Sequence, residues 1–342
     1  MILALFLACP RDGAQLEPGA PPRVPSPVAP VYAHAAEPAR DPLVRSAFPG
    51  AVDESLSGAA TGLALALLVS SQLDPGDLRW KAVLAGYPWP VRGASSARTE
   101  VDGVPADLLA QAQAALATRD VGLIRARGTS GDIWVLMEGE RRGTIPATPR
   151  EPPPGTDLPF PGFEVRASSP AGDLVQSRDG LRVDQAGEWL VELADAQGVV
   201  ATFPLYVGTR TPSASPFAGS ASAENAGDID EELLVRLDAL DAWYKRPPAE
   251  RDPMLDAVAR ARLRDFVANK PLSPAPVQLA AGGFSDADAG ACRGSSVAAC
   301  LDAMWWSVSD RGPLSGPYQT IGMAALNSGG VVHVVVAGAD RR

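Results

Sequence analysis

Apolar residues recur at three- and four-residue spacing from residue 52 onward, at Leu56, Ala59, Ala60, Leu63 and Leu67. That is the period of a helix with one buried face, and Asp53 and Ser55 stand ahead of it as candidate caps. A second helix is expected over residues 105–118, then two strands over 121–126 and 133–138. The RGTSGD between those strands carries Gly128 and Gly131, which permit a tight turn. Residues 50–143 therefore read as a small N-terminal α+β domain, closed off by the Pro-rich TIPATPREPPPG.

Between residues 160 and 208 the period changes to two, in FEVRAS, LRVD, EWLVELAD and VVATFPLYVG, with DAQG as a hairpin turn. Short strands over so few residues predict an antiparallel β-sandwich spanning 155–210, and GEWLVELADAQGVV resembles the late hairpin of an immunoglobulin-like (Ig-like) bacterial module. Residues 211–227 are a linker by composition. Helices are expected at 229–244, at 253–268 with Pro253 in the first turn, and at 296–307. The chain closes on IGMAAL, the turn NSGG, and VVHVVVAGA, whose continuous apolar run reads as a strand buried on both faces. The whole is an α+β multidomain chain.

Composition narrows the chemistry. Net charge is −10, and lysine supplies only Lys81, Lys245 and Lys270 of 30 basic residues, so no lysine-rich patch can track a phosphate backbone. Nucleic acid is excluded as an expected partner. Two histidines, His34 and His333, rule out most histidine-rich metal sites by counting. Residues 1–9 (MILALFLAC) resemble the end of a bacterial lipoprotein signal with Cys9 as the lipidated residue; a frayed apolar terminus is the other reading. Residues 10–49 are rich in Pro and Ala and read as an extended linker. Export, to a lipid-anchored cell-envelope or extracellular location, is the resulting expectation, with the membrane touched through a lipid anchor at most. In that setting Cys292 and Cys300, eight apart, are expected to bond to each other, the alternative being two buried thiols.

Three stretches of residues 228–342 resemble the CAP superfamily (cysteine-rich secretory, antigen 5 and pathogenesis-related proteins), in particular its bacterial SCP-like members. ARARLRDF (259–266) is similar to the family's first helix, with Arg262 where a histidine is usual. WWSVSDRGPLSGP (305–317) is similar to its Trp, Ser, His-Arg, Leu, Pro stretch, with Asp310 in place of the histidine and Ser307 and Arg311 at matching positions. YQTIGMAAL and VVHVVVAG are similar to the closing strand pair. The resemblance implies a C-terminal α/β/α sandwich. It also implies a cleft that in relatives is built from two His and two Glu, yet here both histidines are replaced and no Glu follows Glu250. No metal and no other cofactor is therefore expected.

Arg262 shares a helical stripe with Leu255, Val258, Ala259 and Phe266 and should point inward. A buried guanidinium demands a carboxylate or several carbonyls, which suggests an Arg262–Asp310 ion pair in place of the metal ligands; the bland alternative has Arg262 reaching solvent and Asp310 capping a turn. Asp286 and Asp288, in GGFSDADAG, read as a solvated surface loop. Of Trp305–Trp306 and Trp243–Tyr244, one ring of each pair should be core and the other interfacial. Offsets of 199 and 200 lay Leu56 on Leu255 and Val121 on Ile321, so residues 50–143 can be read as a degenerate copy of the C-terminal domain. There is no phosphate loop, nucleophile elbow or C-x-x-C. The expectation is a non-enzymatic SCP-like module that binds an envelope protein, peptide, lipid or glycan in a degenerate cleft; the alternative is a divergent CAP-domain hydrolase.

Overall fold

A computed structural model describes residues 31–48, 50–69, 75–100, 103–128, 131–216, 228–272 and 284–341. The fold is mixed α+β, with eight helices and five sheets among the described residues. Cys9 and residues 217–227, most of the second linker, lie outside them.

The Pro-rich stretch does not continue as a spacer to residue 49. Tyr32, in β1 (Val31–Tyr32), is fully buried, and its hydroxyl donates to the Pro204 carbonyl at 2.7 Å. Then come β2 (Ala36–Pro38), α1 (Pro42–Ala47), capped by Asp41, and β3 (Ala51–Asp53), which pairs with β2. A few residues of high apolar content, Tyr32, Val44 and Phe48, anchor what composition alone reads as a linker.

α2 (Glu54–Val69) buries the expected stripe and lies across a three-stranded sheet. α3 (Pro75–Ala85) and β4 (Val91–Thr99) precede α4 (Ala106–Leu116), β5 (Asp120–Gly128) and β6 (Gly131–Gly139), with strand order β4-β6-β5. A short β7 (Thr148–Pro149) pairs with β1.

Residues 156–207 form one antiparallel sheet rather than the two facing sheets of a sandwich. β8 (Thr156–Ser168), β9 (Leu174–Val183), β10 (Gly187–Asp195) and β11 (Gly198–Val207) are ordered β11-β10-β8-β9. The alternation was read correctly, but the buried face of this sheet finds its partner in helices and strands of the flanking segments. One continuous apolar core joins Leu63 of α2, Phe203 of β11 and Leu237, Trp305 and Val334 further on.

The C-terminal part runs α5 (Ile229–Trp243), β12 (Glu250–Arg251), α6 (Pro253–Val267), β13 (Phe284–Gly294), α7 (Val297–Trp305), α8 (Gly312–Ser315), β14 (Thr320–Ser328) and β15 (Val331–Arg341). Its sheet is ordered β12-β14-β15-β13. β15 is buried on both faces: Val335, Ala337 and Ala339 meet the side bearing α6, while Val332, Val334 and Val336 join the large core. Cys292 of β13 and Cys300 of α7 form a disulfide, with Cα atoms 5.3 Å apart.

The two outer segments repeat one arrangement. Helix, strand, helix and hairpin follow in the same order, and the sheet orders β4-β6-β5 and β13-β15-β14 coincide. Hairpin register coincides too: Val121 faces Glu138 and Gly128 faces Gly131, as Ile321 faces Gly338 and Ser328 faces Val331, at a constant offset of 200. In each, a strand glycine lets the helix backbone press onto the sheet. A Cβ on Gly122 would run into the backbone of Leu56 and Ser57, and one on Gly322 into the backbone of Leu255 and Asp256. Gly122→Ala and Gly322→Ala should each lower stability by about 1–3 kcal/mol, because the obstacle is main chain rather than a movable side chain. Urea denaturation of the two variants measures this, and an unchanged midpoint in both would refute the close-packing account.

Candidate functional site

α6 carries Arg262 inward as its stripe predicts, and only 6% of the residue remains exposed. Burial draws the guanidinium's pKa below the usual arginine value, and Asp288 followed by Asp310 counteracts it. Both carboxylates thus act on Arg262, with Asp288 the stronger. Asp288 is no member of a solvated loop. It sits on β13, half-buried, its carboxylate pressed over Gly312 and accepting from the Ala289 N–H at 2.7 Å. Burial pushes Asp288 above the ordinary carboxylate range, and neighbouring Asp310 adds to the rise. The "DADAG" spacing concealed this, since the segment is part of β13 and its pairing shifts register between Ser285 and Asp288.

Asp310 turns its carboxylate back on its own loop, where Oδ2 accepts from the Ser307 hydroxyl at 2.6 Å and the Ser309 hydroxyl at 3.1 Å. Ser307 and Asp310 are therefore joined directly, and the charges of Asp310 and Asp288 both act on Arg262, Asp288 being the residue that sequence reasoning missed. His333 lies elsewhere, buried on β15 with its ring 6.1 Å from that of Phe266, a packed strand residue.

Arg311 leaves the cleft altogether. It is 1% exposed and lies 4.6 Å over the Trp305 ring, where it donates to the Tyr244 hydroxyl at 3.1 Å and pairs with Glu188 of β10. Tyr244 donates to Glu188 at 3.0 Å and accepts from Trp305 Nε1 at 3.0 Å, which completes a charged network inside the core. Burial pushes the Glu188 carboxyl up, with Arg311 pulling against it, while the Tyr244 and Glu188 oxygens hold Arg311 firmly protonated. Nothing in the local pattern GEWLV marks Glu188 as a partner for a residue 123 positions away.

The adjacent indoles differ from expectation as well. Trp305 and Trp306 are both buried, at 0% and 4% exposure, because Trp80 of α3 packs on them at centroid distances of 5.5 and 6.1 Å. Arg79 lies 4.1 Å over the Trp306 ring, and burial lowers its pKa to about 10.

A cavity of about 810 Å³ opens beside α2, where Ser55, Gly58 and Gly62 leave the helix surface low, with Lys81, Leu123 and Arg125 also lining it. Ala33 and Ala35 lie on its wall, while His34 between them bonds to Asp53 at 2.8 Å. Among the described residues no helix is long and apolar enough to cross a membrane.

Replacing Arg311 by Met leaves Glu188 buried without its charge partner and should cost about 3–5 kcal/mol, whereas the double variant Arg311→Met, Glu188→Met should recover most of that loss. Chemical denaturation of the single and double variants tests this; additive losses would show that the pair is not coupled.

No family model, curated protein or solved structure matches the chain.

Proposed function

We propose that the chain is an exported SCP-like module, a degenerate relative of the CAP superfamily that binds rather than catalyses. The observation that carries the reading is the state of Asp310. Its carboxylate accepts from both the Ser307 and the Ser309 hydroxyls, and its charge acts on Arg262. A serine activated for attack needs a base that takes its proton, most often an imidazole, whereas Ser307 is bonded here to a carboxylate shared with Ser309. Support for the α/β/α sandwich comes from β15, with α6 on one side and the large core on the other. The matched order and register of the outer segments support a duplication in which the first copy is further degenerate.

The partner fits the classes of envelope protein, peptide, lipid or glycan, presented outside the cytoplasm by a chain anchored through Cys9. Ester and peptide substrate panels should give no turnover above buffer that Ser307→Ala or Asp310→Asn abolishes. Turnover lost in those variants would overturn the binding-only reading in favour of a divergent hydrolase. Expression in a bacterial host with radiolabelled palmitate tests the address: the full chain should take up label and Cys9→Ser should not, while an unlabelled wild-type chain would rule out the anchor.

A further inference from the structure

His34, Asp53 and Asp120 come from three separate elements and converge at one point. Their ligand atoms all lie within 4.8 Å of one another, with His34 Nδ1 2.8 Å from Asp53 Oδ2. We propose that these three residues form a divalent-metal site that takes a zinc-class ion, remote from the degenerate cleft and independent of the function proposed for it.

The donor set suits such an ion. One imidazole with two carboxylates offers borderline and hard ligands, and two carboxylate charges neutralise a dication. Metal–ligand bonds of about 2.0–2.2 Å imply tetrahedral edges of about 3.4 Å, so the three atoms need shifts on the order of 1 Å to share one ion. A fourth position is open to water, since the His34 side chain keeps 20% of its exposure.

Both carboxylates are already aimed by a second partner, as metal ligands require. Asp53 Oδ1 accepts the Leu56 N–H at 2.8 Å, which leaves Oδ2 turned to His34. Asp120 Oδ2 accepts the Tyr87 hydroxyl at 3.1 Å and lies 3.4 Å from Arg141 Nε, which leaves Oδ1 for an ion. The Trp89 ring meets the imidazole edge-on at 6.3 Å. The backbone is equally fixed. Ala36 pairs with Asp53, Glu54 N–H donates to Ala35 at 2.9 Å, and Asp120 pairs with Gly139.

The second copy shows what helix capping alone demands. Asp252 caps α6 through Met254 and Leu255 as Asp53 caps α2 through Leu56, so capping explains an aspartate at that position in both copies. It does not explain the rest. Where the first copy has Asp120 the second has Thr320, whose hydroxyl goes to the Ala339 carbonyl.

The test is zinc titration of the full chain carrying Cys9→Ser, so that this thiol cannot compete, after removal of metal with a chelator. Calorimetry should give one saturable zinc per chain, and zinc should raise the unfolding temperature. Asp120→Asn, which keeps the Tyr87 bond, and His34→Gln should each weaken binding by more than about 100-fold. Tyr87→Phe, which removes only an orienting partner, should weaken it by roughly 10- to 100-fold. No saturable zinc binding, or affinity retained in either ligand variant, would overturn the site and leave His34–Asp53 as a hydrogen-bonded lock.

Discussion

The charge of Arg311 is the constraint around which the three chain segments are arranged. A guanidinium taken wholly out of water must meet an anion and further oxygens, and here they come from β10 and α5's end, as Glu188 and Tyr244, while Trp305 of α7 covers its face. A buried pair of this kind contributes little net stability, but it admits few alternative geometries, so it sets how the central sheet meets the C-terminal helices. Trp80 then brings the first segment onto the same site through Trp243, Trp305 and Trp306. One core across segments that look separable in sequence is the consequence.

That recruitment also separates two neighbouring residues. Arg311 and Asp310 are neighbours, yet one points into the core and the other remains with Ser307 and Ser309. The charges of Asp288 and Asp310 both act on Arg262, and Asp288 rests on Gly312, where any side chain would displace it. The first segment keeps the same helix-on-glycine packing, and brings His34 and Asp120 together with Asp53 just ahead of α2.

Elements with a strong period were legible. α2, α5, α6 and the β14–β15 hairpin follow directly from apolar spacing, and Arg262's inward direction follows from its stripe. α3 and β4 were missed for opposite reasons. α3 buries consecutive Ala82 and Val83 beside Trp80, which blurs the helical period, while β4 is an edge strand of VRGASSART whose small and polar residues carry no alternation. Residues 31–48 were hidden by their proline content.

The sequence by itself determined α2, α5, α6, the closing hairpin and the scarcity of histidine, because periodicity, turn residues and composition act locally or by counting. Only the tertiary structure decided that the central strands form one sheet sharing its core, that Arg311 belongs to Glu188, that Asp288 lies over Gly312, and that His34 meets Asp53 and Asp120. Each of those pairings joins residues far apart in the chain, and what selects them is the cost of burying a charge or an apolar face without a partner. That cost exists only once the chain has folded.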